Sequence, residues 1–281
     1  MKILNGKDVA AAVREALRQE ILSLTALGQT APGLAVVLVG DDPASQVYVG
    51  SKIKACQEVG ISSFEFKLPK ESTIEDVKRV LDNCAANDQI DGILVQLPLP
   101  AHLDPSQVIE WIPTEKDADG LTSHSLGLLF KGQHIIAPCT PSGVMEILKY
   151  YGYDVTGKSV VVVGRSQIVG LPMAQLMIQA NATVTLVHSK TKNSEAYIKT
   201  ADIVVVAAGK PKLFGRGHFK EDAIVIDVGI HRDENNKLCG DVDPQELNVQ
   251  ALTPVPGGVG PMTIAMLLKN TVELYKLRAK K

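Results

Sequence analysis

In the segment ASQVYVGSKIKACQEVG, Tyr48 and Lys52 stand four residues apart, the spacing that sets one above the other on a helix. A phenol beside a primary amine is a proton-handling set, because an amine kept neutral by burial or neighbouring charge can act as a base. Val49, Ile53 and Cys56 form the apolar stripe of that helix, so the pair lies at the stripe's edge, where a lysine can face a cleft. The plain alternative is a surface lysine laying its methylenes over apolar neighbours. Gln96 is a polar residue at the C-terminal end of the buried run IDGILVQLPLP (90–100), the end where open α/β sheets bind ligands. Asp119, in EKDADGL, precedes Gly120 and reads first as part of a turn.

A second constellation is VVVVGRSQIVGLP, residues 160–172. It has the plan of a phosphate-binding turn, a strand running into a glycine and then a helix, but not the usual G-x-G-x-x-G spelling. Gly164 and Gly170 are six apart, Ser166 stands where the second glycine belongs, and Arg165 lies inside the turn. Gly164, Ser166 and the amides at the helix start can hold a pyrophosphate, since free N–H groups and the helix dipole point there. A tight turn without a ligand is the alternative, and no Walker A lysine follows. The next strand ends VHSKTK, with no carboxylate to accept from a ribose 2′-hydroxyl. Ser189, Lys190 and Lys192, with Arg165, suit a 2′-phosphate instead, for which the guanidinium fork is the natural partner. NADP is therefore expected over NAD, unless the two lysines are simply solvated.

Helical patterns and short β-branched runs alternate along the chain, the sign of an α/β protein with parallel strands. Residues 7–27 read as a helix and GLAVVLVG (33–40) as a buried strand. Asp42-Pro43 opens a helix that runs to Gly60, and another lies near 72–86. Residues 104–138 loosen into loop and short helix, and Thr140-Pro141 starts a helix through Tyr151. Strands at 158–164, 182–189, 202–209 and 223–230 then make half of a doubly wound nucleotide fold. A Pro/Gly-rich loop, 253–263, leads to a last amphipathic helix.

The 281 residues suit about two domains, and 45% hydrophobic against 21% charged residues suffices for ordinary cores. A formal charge of −2 argues against nucleic acid or an anionic membrane as main partner. The opening MKILNGKDVAAAVREALRQ is too charged for a signal peptide, and no run approaches a membrane span, so the cytoplasm is expected. Cys56, Cys84, Cys139 and Cys239 are far apart and no histidine pair has ligand spacing, so no metal and no disulfide framework is expected.

Together the segments VVGRSQIVGLPM, PVPGGVGPMT, DGILVQLPLP, YVGSKIKAC and KDADG resemble the bifunctional methylenetetrahydrofolate dehydrogenase/methenyltetrahydrofolate cyclohydrolase family, over nearly the whole chain. The resemblance implies oxidation of 5,10-methylenetetrahydrofolate with NADP, then hydrolysis to 10-formyltetrahydrofolate. It implies a folate-binding α/β catalytic domain at 1–139, on which a C-terminal helix (262–281) packs back. A Rossmann-like, parallel-sheet NADP-binding domain follows at 140–261, with folate in the cleft between the two. Tyr48, Lys52, Gln96 and Asp119 would be the active-site polar groups. Val95, Leu97, Pro256, Gly257, Gly258, Val259 and Gly260 would line the folate pocket, and Gly164, Arg165, Ser166, Ser189 and Ile230 would contact the dinucleotide. A homodimer is also implied. One departure is Ala85, where the family usually has asparagine, and it should matter for the turn before the strand rather than for activity. Another NADP-dependent oxidoreductase, or a non-catalytic NADP-binding scaffold, are the competing readings.

Overall fold

The computed structural model describes residues 1–279; Lys280 and Lys281, the last two of the expected C-terminal helix, lie outside the described residues. The chain is a two-unit α/β protein. One unit comprises residues 12–137 with the chain from Ile264 onward, and the other residues 1–11 with 138–263.

The first eleven residues, expected with the catalytic domain, thus cluster with the nucleotide unit. Their strand β1 (Lys2–Ile3) has only two residues, too short to announce itself in a sequence pattern. It is held by pairing, by an amide of Asn5 donating to the Tyr151 hydroxyl at 3.0 Å, and by the Lys2 ammonium 4.9 Å from the Tyr151 ring centroid. Helix α1 (Gly6–Ala26) then carries the chain into the other unit.

The catalytic unit is built on a three-stranded parallel sheet whose centre, β2 (Gly33–Val39), is buried at all seven positions. Helix α2 (Pro43–Val59) starts as its sequence dictates. The Asp42 carboxylate accepts from the Ser45 amide, proline fills the first turn, and left-handed Gly60 ends it. The edge strand β3 (Ser62–Leu68) is absent from the sequence reading; Phe64, Phe66 and Leu68 alternate toward the core while polar residues face out. Helix α3 (Ile74–Ala86) opens with a capping box between Thr73 and Asp76, and β4 (Gly92–Val95) completes the sheet in the order β3-β2-β4. Two short helices, α4 (Pro105–Ile109) and α5 (Ser123–Phe130), cover the loop region.

The nucleotide unit starts with α6 (Cys139–Tyr150), one residue earlier than expected. Thr140 is inside the helix, its hydroxyl 3.0 Å from that of Thr263, and Pro138 is the cap. The sheet strands are β5 (Ser159–Val163), β6 (Thr183–Val187), β7 (Ile203–Val206) and β8 (Ile224–Asp227), with α7 (Gly170–Gln179) and α8 (Ser194–Ile198) between them. An antiparallel pair, β9 (His231–Arg232) and β10 (Leu238–Cys239), precedes β11 (Ala251–Leu252). All pairings in the main sheet are parallel, in the order β1-β11-β8-β7-β5-β6. The chain moves outward from β5 to β6 and then returns to the other side of β5, which makes the carboxyl ends of β5 and β7 the topological switch point.

Helix α9 (Val259–Ala279) begins before the Pro/Gly-rich loop was expected to end. It is not the amphipathic helix expected: Ala265, Met266, Leu268, Asn270, Thr271, Val272, Leu274 and Tyr275 point to most directions of the helical wheel, and all are buried. In the catalytic unit Asn270 Nδ2 donates to the carbonyls of Ala118 and Ala137 at 2.9 and 3.0 Å, so a polar residue inside this helix pins a loop.

The last turn of α3, which carries Ala85, is closed by a buried lysine. Lys116 Nζ donates to the carbonyls of Ala85 at 2.7 Å and Asn87 at 2.8 Å, giving the Ala85 helix-end acceptor a partner and adding a second donor to Asn87, which also takes the Ile90 amide. Burial holds its pKa below the ordinary lysine value, against the pull of Asp91. Only the backbone of residue 85 is used, so alanine serves there. Lys116→Met keeps the methylenes and removes the donor. It should cost about 1–3 kcal/mol, read as a lower denaturant midpoint, with faster amide exchange in the last turn of α3.

Candidate active site and nucleotide-binding turn

Helix α2 rises from the carboxyl end of β2 and presents Tyr48 and Lys52 on successive turns, while Val49 and Cys56 are buried beneath it. Gln96 directly follows β4, and its amide donates to the Val37 carbonyl at 2.8 Å, so the sheet's own ladder fixes its backbone. The residue is only 9% exposed. The oxygen Oε1 accepts from Lys52 Nζ at 2.8 Å and Nε2 donates to the Leu97 carbonyl at 2.5 Å. The structure therefore joins two of the expected polar groups directly. Tyr48 is 43% exposed, its ring available to a ligand. Cys56, one turn beyond Lys52, is no nucleophile: burial pushes its thiol up to about 12. Val95, expected to line the pocket, instead belongs to the hydrophobic core with Val37 and Leu81. Leu97 is half-buried.

Asp119 owes its place to a residue that the sequence reading passed over. Asp117 is 1% exposed, and its carboxylate accepts from the amides of Gly120 at 2.9 Å, Leu121 at 3.2 Å and Thr122 at 2.9 Å. That folds 117–122 around one charge, with Gly120 at a positive φ of 70°. A parallel bridge from Asp117 to Ile93 attaches the turn to β4, three residues before Gln96. Asp-x-x-Gly is the spacing that could have revealed it, since aspartate binds its own backbone a few residues on.

In the nucleotide unit, the segment 254–260 is shaped by contacts with no room for side chains. A Cβ on Gly258 would lie 2.6 Å from the Pro254 carbonyl oxygen, and one on Gly6 would lie 1.8 Å from that of Gly258. The Lys7 amide donates to the Gly257 carbonyl at 3.2 Å. Gly257, Gly258 and Val259 are buried, whereas Pro256 and Gly260 are exposed.

The turn after β5 follows the same rule. A Cβ on Gly164 would lie 2.2 Å from the Ala207 oxygen, and one on Gly170 would lie 2.1 Å from the Gly164 oxygen. The odd spacing of the glycines thus reflects where the backbones touch. Ser166 Oγ accepts from the amides of Val169, the N-cap of α7, and of Gly170, its first residue, at 3.2 and 3.4 Å. Arg165 is exposed and makes no ion pair among the described residues, as suits a guanidinium awaiting an anion. Val163 pairs with Val187 at the carboxyl ends of β5 and β6, which sets Arg165 beside the loop carrying exposed Ser189 and Lys190. The first amides of α7 are spent within this turn, so the groups left to meet a phosphate-rich dinucleotide are a hydroxyl and cations on adjoining loops.

Ile230, on the segment after β8, is exposed. Beneath it lie two carboxylates that the sequence reading missed, Asp227 and Asp241, both buried. Burial pushes Asp227 up to about 6, although the amides of Val242, Asp241 and Gly229 favour its charged form. Among the described residues no cluster of His, Cys, Asp or Glu could hold a metal ion, and no helix is long and apolar enough to cross a membrane.

Comparison with known proteins shows the family. The tetrahydrofolate dehydrogenase/cyclohydrolase catalytic-domain model matches residues 4–119, and the NAD(P)-binding-domain model of the same family matches 138–279. The bifunctional protein FolD of Bdellovibrio bacteriovorus is 54% identical over 99% of this chain and 98% of its own length. The structure of the bifunctional FolD of Campylobacter jejuni superposes with a TM-score of 0.96 at 46% identity, covering 99% of each chain. That of Trypanosoma brucei FolD, complexed with NADP cofactor and inhibitor, gives 0.93 at 39% identity, over 99% of this chain and 98% of that one. The chain belongs to the tetrahydrofolate dehydrogenase/cyclohydrolase family.

Proposed function

We propose that this protein oxidises 5,10-methylenetetrahydrofolate with NADP and hydrolyses the resulting methenyl compound to 10-formyltetrahydrofolate, with Lys52 as the proton carrier of the second step. The observation that carries the assignment of Lys52 is its 2.8 Å hydrogen bond to Gln96 at the end of a buried parallel strand. The NADP found with the Trypanosoma brucei relative supports the cofactor.

The first step asks little of acid or base. A hydride leaves the methylene carbon, and the two flanking nitrogens stabilise the cation left behind, so the chain contributes mainly orientation. Bound NADP would supply the hydride acceptor. The Asp119 carboxylate, held out by the Asp117-centred turn, accepts from the pterin amine and ring N–H and fixes the ring through charge-assisted bonds.

The second step moves protons. Water adds to the methenyl carbon and loses a proton, and the ring C–N bond then breaks with a proton gained at nitrogen. Lys52 is the group in reach of this exchange. A cationic methenyl carbon nearby favours the neutral amine, since like charge and loss of water both disfavour the ammonium. Gln96 aims the amine and polarises the reacting centre, while Tyr48 flanks it one turn back. Leu97 lies beside Gln96 at the folate contact, whereas Val95 contributes through its backbone, its side chain being spent on the core. Of the residues that the resemblance puts at the folate pocket in the nucleotide unit, Pro256 and Gly260 are exposed, and Gly257, Gly258 and Val259 are buried and shape that segment.

Arg165 and Ser189 read the 2′-phosphate, Gly164 and Ser166 form the pyrophosphate turn, and Ile230 takes the other half of the dinucleotide. We further infer a homodimer joined along β6, which ends the main sheet and so offers an open strand edge beside the exposed Ile178 of α7. A cytoplasmic location fits four cysteines of which none forms a disulfide.

Lys52→Met should lower methenyl hydrolysis by about 10²–10⁴-fold while the dehydrogenase step continues, seen as lasting methenyl absorbance; full hydrolysis in that variant removes Lys52 from the mechanism. Arg165→Ala should raise KM for NADP by roughly 10–100-fold, the loss of a charged hydrogen-bond pair, and leave KM for the folate and for NAD near their starting values. Light scattering on the purified chain should give twice the monomer mass, and a stable monomer would end the β6-edge proposal.

A further inference from the structure

Asp227 and Asp241 are the most deeply placed charges of the nucleotide unit, and neither belongs to the groups assigned above. Asp241 is fully buried. Its Oδ2 accepts from the amides of Ala208 at 2.6 Å and Gly209 at 3.0 Å; its Oδ1 accepts from the Lys210 amide at 2.9 Å and meets His231 Nε2 at 2.7 Å. Four donors converge on two oxygens, which fills the acceptor capacity of a carboxylate. Asp227 supports it from below, accepting from the amides of Gly229, Asp241 and Val242 at 2.9–3.0 Å.

The sequence makes space for both groups. A Cβ on Gly229 would lie 2.5 Å from the Asp241 carboxyl carbon, and one on Gly240 would lie 1.8 Å from Asp227 Oδ2. Two glycines are thus required by two carboxylates. Burying a charge is expensive unless its hydrogen bonds are complete, so this completeness calls for a purpose beyond filling a core.

The purpose follows from what the carboxylates hold. Residues 207–210 leave β7 and residues 228–231 leave β8, both at the carboxyl edge of the sheet. With the phosphates at the β5 turn and the 2′-phosphate read beside β6, the other half of the dinucleotide must extend toward β7 and β8. These two segments are what it would lie against. The Ala207 oxygen already touches the β5 turn through the missing side chain of Gly164, so a shift of 207–210 would also disturb the phosphate turn.

We propose that Asp241 is a positioning residue for the nicotinamide half of NADP, and that with His231 it locks the 207–210 turn to the segment bearing Ile230. This rests on the cofactor placement given above. The carboxylate itself touches only chain atoms and His231, and it acts through the backbone wall that it fixes.

The test separates cofactor from folate. Methenyl hydrolysis needs no NADP, so it reports the folate site and the integrity of the fold in the same protein. In full-length Asp241→Asn, the amide nitrogen would face N–H groups where an acceptor is needed. NADP dissociation constants from titration calorimetry, without folate, should rise about tenfold or more, while methenyl hydrolysis without NADP changes less than about twofold. His231→Ala, at a partly exposed position that folding tolerates, should weaken NADP several-fold, and His231→Gln, which keeps a donor, should restore it. Unchanged NADP affinity in Asp241→Asn and His231→Ala, or an equal loss in cofactor-free hydrolysis, overturns this assignment alone. Wild-type protein that takes up no NADP in the calorimeter overturns the cofactor placement and this assignment with it.

Discussion

A parallel sheet delivers the carboxyl ends of all its strands to one edge, and both units of this chain place their polar groups there. In the catalytic unit that edge holds α2 with Tyr48 and Lys52, then Gln96 after β4, and the turn carrying Asp119 attached beside it. In the nucleotide unit it holds the Gly164 turn, the Ser189 loop and the segment with Ile230. Crowding is the direct cost. Strands about 4.8 Å apart bring successive loops into backbone contact, and at Gly164, Gly170 and Gly229 no side chain fits.

Loops pressed together in this way have amides that no ladder can satisfy, and the chain answers with buried aspartates. Asp91 takes the Gly33 amide and the Arg278 guanidinium at 2.8 and 2.6 Å. Asp117 takes three amides, Asp227 three, and Asp241 three with a histidine. An aspartate suits this work because its two oxygens accept from several directions on a short stem, so one residue can fix a whole turn. Such bonds are among the stronger ones in proteins, and removing one side leaves buried groups unmatched.

Much of this was legible in the sequence. Valine runs marked β5 and β7, Asp42-Pro43 marked the start of α2, and the Tyr48–Lys52 spacing put both groups on its accessible side. What escaped notice had either too little length or too little local signal. Two-residue β1 and β11 exist only through pairing with distant strands, β11 between β1 and β8. Strand β3 did carry a period of two in Phe64, Phe66 and Leu68, but beside charged neighbours. Asp241 is unreadable for a different reason: its four partners come from residues 208–210 and 231, and no linear spacing encodes that convergence. Thr140 has the right residue type for a cap, yet Pro138 takes that position and the hydroxyl turns to Thr263.

The pairing of β1 with β11 also bears on how the molecule is made. Lys2 and Ile3 leave the ribosome long before their partners Ala251 and Leu252. Closing that edge is thus the least local contact of the sheet, the kind whose loop entropy slows folding. Until Ala251 and Leu252 are in place, that side of β8 is unpaired and β1 has nothing to bind. The nucleotide unit therefore completes its sheet only after Leu252 has been made, whereas β2, β3 and β4 can assemble from sixty-odd consecutive residues long before.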